Sequence, residues 1–350
     1  MRTVARGKQG VRWKAPDWRD EMNSDKGNSV NGSRRKFLAL GAGALVLSVT
    51  PWRKRNGPEL FRRRIPVMGT VGEIAVVDTD ARRAYAAIDA ARQELVWVEQ
   101  TMTRFTAESD IGRVNAAGDS RPVEVTRATG QVVQHALEMA YATDGRFDPA
   151  LGRASVLWDV TNRTTPPPQR EVRRLADRDF FRSVDVTTSL HGAVIRLSDR
   201  DVELDLGGIA KGYGVDRAVE RLREHGVVNG LVNVGGDLVA MGRSENRDPW
   251  RVGVRDPFNP AEVLEVFEAE DVAVATSGDY LRFFTHDGKR YHHLLDPSTG
   301  APVESVRRSA TVLASTCMVA DACATAVFGL DDHNAKRLAA GAGADLRVLS

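Results

Sequence analysis

The densest group of chemically useful residues lies between Asp205 and Asp216, in the sequence DLGGIAKGYGVD. This stretch combines an acid, a pair of glycines and Lys211. Glycine lets the backbone approach a charged ligand closely, and the helix expected to follow offers free N–H groups and a partly positive end. A lysine at this place can meet a phosphate as a compact positive charge. The segment therefore predicts a phosphate-binding turn.

Three further segments follow in order: Asn233 to Leu238 (NVGGDL), Tyr291 to Pro302 (YHHLLDPSTGAP) and Ala320 to Thr325 (ADACAT). Asp321 and Thr325 are four residues apart, so on a helix both side-chain oxygens project from one face. Hard oxygen donors of this kind suit Mg²⁺. Taken alone, such a pair is more often an exposed acid and an incidental threonine, and only the neighbouring segments favour a metal site.

Together with Met68-Gly69-Thr70, these four segments resemble the ApbE family, the FAD:protein FMN transferases, from about residue 68 to about residue 330. The resemblance implies an enzyme that uses FAD as substrate with Mg²⁺. It would attach FMN to a Thr or Ser hydroxyl of a target flavoprotein and release AMP. In that family an aspartate, a threonine and a backbone carbonyl of the DLGG turn hold the metal. At the matching positions of this sequence, the resemblance implies Asp321, Thr325 and the carbonyl of Gly208 as the metal ligands.

The resemblance also implies a set of residues that contact FAD. Phe105 takes the place of an aromatic ring that stacks on the dinucleotide, which gives affinity with little dependence on hydrogen bonding. Asp205 can accept hydrogen bonds from a ribityl or ribose hydroxyl. Arg146 departs from the family, which often has a small or apolar residue there. The full set is Met68, Phe105, Arg146, Phe147, Asp148, Asp205 and Lys211. For Met68 and Phe105, packing in the core is the alternative.

His293 stands just before the sequence LLDPSTG. Histidine changes its protonation near neutral pH, so it can take a proton from an attacking hydroxyl. The family has a histidine before the same turn, which implies His293 as the catalytic base. His292 is adjacent, and on a strand the two rings point to opposite faces. A lone histidine would more often be structural.

Two other functions would use the same residues. In a Mg²⁺-dependent FAD pyrophosphatase, water replaces the protein hydroxyl, and FMN and AMP are both released. A non-catalytic module would bind FAD without releasing AMP, and the intact metal-ligand positions count against it.

The charge distribution separates the N-terminus from the rest of the chain. The net charge of the 350 residues is +2, but residues 1–64 carry 16 Lys and Arg against 5 Asp and Glu, and the remainder carries 33 against 42. We assign the basic excess to a leader. An acidic body argues against nucleic-acid binding, which needs a basic face. Cys317 and Cys323 are too few for a disulfide framework or a zinc cluster, and we expect both to be buried.

The leader resembles a twin-arginine export signal. Arg34 and Arg35 precede the apolar run 39–49, which is well short of the roughly 20 residues that span a bilayer. We therefore predict that residues 1–50 form a disordered leader with this signal and that residues 51–350 form an exported ApbE-like domain. No cysteine lies beside the run for a lipid anchor, but the basic residues 53–55 could retain the leader at the membrane.

The order of the predicted elements favours an α+β fold, with largely antiparallel sheets and packed helices. Residues rich in β-branched types predict strands at 71–77, 183–186, 193–197, 230–234, 250–254, 272–275 and 308–313. Apolar periodicity and capping residues predict helices at 80–101, 111–115 and 126–142, and another that starts near 315. The prolines 166–168 predict a loop or subdomain hinge at 162–170.

Overall fold

The computed structural model describes residues 45–47, 57–259 and 261–350 of the chain. Its strands, numbered along the chain, are β1 (Leu45–Leu47), β2 (Glu59–Val67), β3 (Thr70–Asp78), β4 (Val123–Val125), β5 (Val184–Thr188), β6 (Ala193–Leu197), β7 (Gly230–Val234), β8 (Asp237–Met241), β9 (Trp250–Arg255), β10 (Val263–Ala269), β11 (Val272–Gly278), β12 (Phe283–His286), β13 (Lys289–His292), β14 (Leu295–Asp296), β15 (Ala301–Pro302), β16 (Ser309–Ala314) and β17 (Ala344–Leu349). The helices are α1 (Ala81–Met102), α2 (Asp110–Ala117), α3 (Arg127–Ala142), α4 (Gly152–Trp158), α5 (Gln169–Arg174), α6 (Ala210–Glu224), α7 (Cys317–Val327) and α8 (Asp332–Gly341).

The centre of the fold is a seven-stranded sheet in the order β17-β16-β11-β8-β7-β3-β2. Every neighbouring pair in it is antiparallel. One face carries Ile74 and Val76 into the main core, where they meet apolar residues of α1, α6 and α7. The other face carries Ala75 and Leu231 against the β9–β10 hairpin. This arrangement confirms the predicted α+β class with antiparallel sheets.

The predicted helices form where their capping residues stand. Asp80 accepts hydrogen bonds from the backbone at the start of α1, Ser109 does so for α2, and Thr126 for α3. The buried residues of α1 recur every three or four positions, from Ala84 to Met102. Such a stripe packs on the sheet and on α6, and it places α6 over the strands that carry the site.

One sequence interpretation needs correction. The basic excess of residues 1–64 was assigned to a leader, yet β2 begins at Glu59 and is a full strand of the main sheet, paired with β3. Arg63 forms an ion pair with Asp89 of α1, and Arg64 forms one with Glu73 of β3. Part of the positive charge therefore belongs to the folded domain.

Smaller units surround the main sheet. Strands β4, β6 and β5 form a second antiparallel sheet beside α3, and the pairs β12–β13 and β14–β15 are hairpins. The prolines 166–168 lie in a loop before α5, and a hinge there stays a prediction.

Strand β1, which lies within the predicted leader, pairs with β9. The twin arginines and the rest of the predicted leader lie outside the described residues. Within the described part of the chain, none of the helices has the length and apolarity needed to cross a membrane.

Candidate functional site

Three elements bring a lysine and two acids together. Lys211, in the first turn of α6, places Nζ 2.8 Å from Oδ1 of Asp321 on α7 and 2.5 Å from Oδ2 of Asp237 at the start of β8. Asp321 also accepts a hydrogen bond at Oδ2 from the backbone N–H of Gly212, at 3.1 Å. Only 3% of each carboxyl side chain is exposed. The result is a buried charge cluster of two carboxylates and one ammonium.

The close approach of α6 and α7 makes this cluster possible. A Cβ atom on Gly212 would lie 2.2 Å from the carbonyl oxygen of Cys317, so only glycine fits there. The carboxylate of Asp216, one turn further along α6, accepts hydrogen bonds from the N–H groups of Cys317 and Met318, at 2.8 and 2.9 Å. These groups would otherwise be unpaired at the start of α7. Helix α6 therefore fixes the position and the rotation of the helix that carries Asp321.

The charges in the cluster shift one another's pKa. Burial would lower the pKa of Lys211, but the two carboxylates raise it above its usual value, so the ammonium stays charged. Burial and the charge of Asp321 raise the pKa of Asp237 to about 7. With both acids ionised, the cluster has one more negative than positive charge. A surplus of this kind favours the binding of another cation.

The predicted metal ligands fit a hard cation. Thr325 lies one turn after Asp321 on α7, and its hydroxyl is 3.1 Å from the hydroxyl of Ser277 on β11. The turn at Gly208 is adjacent, since a Cβ atom there would lie 3.2 Å from Oγ1 of Thr325. Carboxylate, hydroxyl and carbonyl oxygens suit Mg²⁺. The described residues hold no cluster of three or more His, Cys, Asp or Glu side chains that could bind a metal.

The two histidines of the YHH sequence have different surroundings. His292 is buried, its Nε2 lies 3.0 Å from the carbonyl oxygen of Val303, and its Nδ1 accepts a hydrogen bond from the N–H of Leu294. Both of its ring nitrogens are thus used by the protein. His293 is exposed, its N–H donates to the carbonyl of Arg282, and its Nδ1 lies 3.4 Å from the same oxygen. Within the described residues, Nε2 of His293 has no hydrogen-bond partner.

Although the side chain of His293 is exposed in part, the protein atoms around its ring reduce its hydration, and this effect, followed by the positive charge of Arg282, lowers its pKa. The ring is therefore neutral at pH 7 and can accept a proton. Lys211 also lowers this pKa, which places the histidine within electrostatic reach of the charge cluster.

Two arginines that the sequence interpretation missed stand next to Asp205. Nε of Arg104 lies 3.0 Å from Oδ2 of Asp205, whose Oδ1 accepts a hydrogen bond from the N–H of Gly207. Arg282 interacts electrostatically with both Asp205 and Arg104. Its guanidinium also covers the turn after Met68, because a Cβ atom on Gly69 would lie 3.3 Å from Nη2. The two arginines therefore bring positive charge to the turn that carries Asp205.

Phe105 and Met68 occupy different settings. Phe105 is 80% exposed, and the guanidinium of Arg104 lies 4.5 Å from the centre of its ring, so the alternative of a core residue is excluded. Met68 is the turn residue between β2 and β3, with a φ of 51°. Its methyl group packs on α6, where a Cβ atom on Gly214 would lie 2.6 Å from it. The stacking role of Phe105 stays a prediction.

The side chains of the GRFDP segment make contacts within the protein. Phe147 is buried against Gly208, where a Cβ atom would lie 3.1 Å from its ring. The guanidinium of Arg146 instead donates to the carbonyls of Ala326 and Phe328 at the end of α7, at 3.2 and 3.3 Å.

The carboxylate of Asp148 also serves the protein's own backbone. It accepts hydrogen bonds from the N–H groups of Ala150 and Phe181, and burial raises its pKa to about 6. The side chains of Arg146 and Asp148 therefore bind other parts of the protein, and their contact with FAD stays a prediction.

Some residues of the site could not be assigned to it from the sequence. Asp237, Ser277, Arg104 and Arg282 reach it from four different segments. Asp237 belongs to the NVGGDL segment, so its place in a motif was visible, but its contact with Lys211 depends on the pairing of β7 with β8.

Comparison with known proteins identifies the family. The sequence model of the ApbE family matches residues 68–349. The FAD:protein FMN transferase of Treponema pallidum is 34% identical over 290 residues, which cover 77% of this chain and 78% of that protein. The crystal structure of the ApbE protein from Thermotoga maritima superimposes with a TM-score of 0.74 at 30% identity, covering 82% of this chain and 93% of that one. For the flavin transferase ApbE from Vibrio cholerae the TM-score is 0.69 at 28% identity, covering 81% of this chain and 90% of that one. The resemblance predicted from the sequence motifs is confirmed.

Proposed function

We propose that this chain, which belongs to the ApbE family, is an exported, Mg²⁺-dependent FAD:protein FMN transferase that attaches FMN to a Thr or Ser hydroxyl and releases AMP. The observation that carries the proposal is the buried ion pair of Lys211 with Asp321, which stands beside Thr325 and within electrostatic reach of His293. Transfer from a pyrophosphate is mainly a matter of positioning and charge neutralisation. Cations, hard oxygen donors and a base are the groups that this chemistry needs.

His293 is suited to act as the base. The carbonyl of Arg282 next to Nδ1 favours the tautomer with a proton on Nδ1, which leaves the lone pair on Nε2. Nε2 would take the proton of the acceptor hydroxyl as its oxygen bonds to the phosphorus nearest the flavin. The bond from that phosphorus to the bridging oxygen breaks, and the electron pair leaves with AMP.

The charged side chains would hold the pyrophosphate. Asp321, Thr325 and the carbonyl of Gly208 are the residues that would bind Mg²⁺, which supplies charge neutralisation on the pyrophosphate when it is bound. Lys211 and Arg282 add positive charge from the protein. Phe105 offers an exposed face on which a flat ring of FAD can stack.

A second candidate is a FAD pyrophosphatase. It is favoured by the exposure of His293, because a water molecule can reach the ring as well as a protein hydroxyl can. The two reactions share the site and differ only in the group that attacks the phosphorus.

The test combines the full chain with FAD, Mg²⁺ and an envelope extract from cells that lack this protein. We expect AMP release together with a flavin-fluorescent protein band that survives denaturing electrophoresis, and loss of both with a chelator or with Asp321→Asn. Asp119→Asn is the matched control, since this acid is exposed and is not among the residues of the site. AMP with free FMN and no labelled band would support the pyrophosphatase, and no AMP at all would reject both enzymes.

Export is proposed from the sequence, on the twin arginines ahead of a short apolar run. Replacing Arg34 and Arg35 with lysine should keep the protein in the cytoplasm, as cell fractionation would show. Unchanged export would contradict a twin-arginine signal, and recovery of the wild type in the membrane fraction would indicate that the leader is retained as an anchor.

A further inference from the structure

A group of arginines and aromatic rings lies next to the proposed active site and has no part in the proposed chemistry. It surrounds the loop between β11 and β12 and also receives residues from the β9–β10 hairpin, from β13 and from the start of β16. We call it the basic patch, and its residues are Arg255, Phe258, Asp279, Tyr280, Arg290 and Arg308.

The patch is held together by one buried acid. Asp279 accepts a hydrogen bond from Nε of Arg308 at 2.8 Å, and Nη1 of Arg290 lies 3.5 Å from the same oxygen. Each of these guanidinium groups also stacks on an aromatic ring. Cζ of Arg308 lies 5.2 Å from the ring centre of Phe258, and Cζ of Arg290 lies 4.1 Å from the ring centre of Phe283. Arg290 and Arg308 are thus fixed in place, and each guanidinium carries further N–H donors beyond the one that contacts Asp279.

The patch contains polar groups that are buried and unpaired. Within the described residues, the hydroxyl of Tyr280 and Nε of Arg255 have no hydrogen-bond partner. An unpaired buried polar group costs free energy, so such groups in a native structure call for a partner. Burial raises the pKa of Tyr280 to about 12, so its hydroxyl is protonated and can donate. Arg255, Asp279 and Arg308 all act on it electrostatically, which places them around the same hydroxyl.

The chemistry of the patch selects an acidic partner. Three arginines face a single aspartate, although the chain from residue 65 onward has 33 basic against 42 acidic residues. The unpaired groups are donors, and the planar guanidinium groups match the geometry of a carboxylate. Phe258 is 64% exposed and Phe283 is 37% exposed, so apolar rings border the charged groups, as is common in protein interfaces.

The patch is also continuous with the catalytic hairpin. Phe283 pairs with His292 across β12 and β13, and the carbonyl of Arg282 binds the N–H of His293. The charge of Asp279 reaches His292. A segment bound on the patch therefore lies beside the residue that would take the proton of the acceptor hydroxyl.

We infer that the basic patch binds an acidic segment of the acceptor protein and so brings its Thr or Ser hydroxyl to His293. This inference rests on the proposed function and adds to it the charge of the acceptor. Binding would turn the unpaired groups of Tyr280 and Arg255 toward carboxylates of the segment, and Phe258 and Phe283 would cover its apolar side.

The test measures binding of two fluorescently labelled synthetic peptides to the full chain by anisotropy. Both peptides contain one threonine, flanked in one by Asp and Glu and in the other by Asn and Gln. We expect the acidic peptide to bind at least about tenfold more tightly at low salt, and the difference to shrink as salt is added. Equal binding of the two peptides, or binding of neither, would overturn the inference.

Two substitutions make the test specific to the patch. Arg255→Gln and Tyr280→Phe should each weaken the acidic peptide about tenfold, as the loss of a hydrogen bond to a charged group does. Because Nε of Arg255 and the hydroxyl of Tyr280 have no hydrogen-bond partner among the described residues, both variants should keep the thermal stability of the wild type. Arg121→Gln, an exposed arginine before β4, is the matched control and should bind as the wild type does.

Unchanged binding by both patch variants would also overturn the inference. Peptide binding needs no FAD turnover, so its failure is distinct from a failure of AMP release, which would reject the proposed function itself. When an acceptor protein has been identified, Arg255→Gln should raise the KM for that acceptor in FMN transfer far more than it changes kcat.

Discussion

Nζ of Lys211 lies 2.8 Å from Oδ1 of Asp321, and this ion pair joins helix α6 to helix α7 inside the protein. Asp237 binds the same ammonium from β8. The sheet and both helices therefore meet at one positive charge. Because Asp321 is also the proposed metal ligand, the same side chain would serve the lysine and the cation.

Lys211→Met should destabilise the protein strongly. It leaves Asp237 and Asp321 buried without a positive partner, and breaking a buried pair in this way costs about 3–5 kcal/mol. Added Mg²⁺ should recover part of the loss, since a divalent cation restores the missing charge. Thermal unfolding with and without Mg²⁺ measures both effects. Lys336→Met, on the exposed side of α8, is the control and should change little. A lowered melting temperature that does not respond to Mg²⁺ would contradict a cation site at Asp321.

The elements that sequence reasoning found are those with local signals. Asp80, Ser109 and Thr126 cap their helices, and regular apolar spacing marks the buried face of α1. Strand β2 lacked such a signal, because three successive arginines, 62–64, hide the alternation of a half-buried strand. Strands β12 and β13 have only four residues each, and they form because they pair with each other.

The residues of the candidate site also fall into those with a local sequence signal and those without one. Asp321 and Thr325 could be paired from helical spacing alone, and Lys211 from its place beside the glycines. Ser277 and Arg282 could not, because they reach the site through the order of strands in the sheet and the fold of a hairpin. The contact of Arg146 with the end of α7 could not be predicted from the sequence either, because the two residues that it joins are 180 positions apart.

Gly212→Ala should separate α6 from α7. The added methyl group would lie 2.2 Å from the backbone oxygen of Cys317, and a backbone atom cannot move aside as a flexible side chain can. Overpacking of this kind costs about 1–3 kcal/mol. Urea unfolding should show the loss, and FAD turnover should fall with it because Lys211 and Asp321 are pulled apart. Gly341→Ala has open space around the new atom and should be neutral or slightly stabilising. Equal stability of the two variants would mean that the contact is not tight.

Asp216→Asn should change the pH dependence of stability. Burial raises the pKa of Asp216 from 3.8 to about 6 in the folded protein, against the hydrogen bonds from Cys317 and Met318, which lower it. The folded state thus holds this proton more tightly than the unfolded chain does. Its contribution to stability is fully present below the unfolded pKa and is lost as the pH rises through about 6.

From about pH 5 to about pH 7 the wild type should lose about 1 kcal/mol of stability relative to Asp216→Asn. Urea unfolding at several pH values measures this difference in slope, whatever constant offset the substitution adds. Asp119→Asn should follow the wild type in parallel. Parallel curves for Asp216→Asn as well would show that the hydrogen bonds at the start of α7 outweigh burial.

Arg282→Met should raise the pKa of His293. The positive charge of Arg282 disfavours the imidazolium form, so its removal makes protonation easier. Loss of hydration is the larger cause of the lowered value and remains in the variant, so the pKa should stay below its usual 6.5. NMR titration of the ring protons measures it without substrate, with His293→Gln to assign the signal. The acid limb of the pH profile for AMP release should move upward in parallel. Arg121→Gln should leave the titration where it is, and a midpoint for Arg282→Met that stays in place or moves down would show that the guanidinium does not act on the ring.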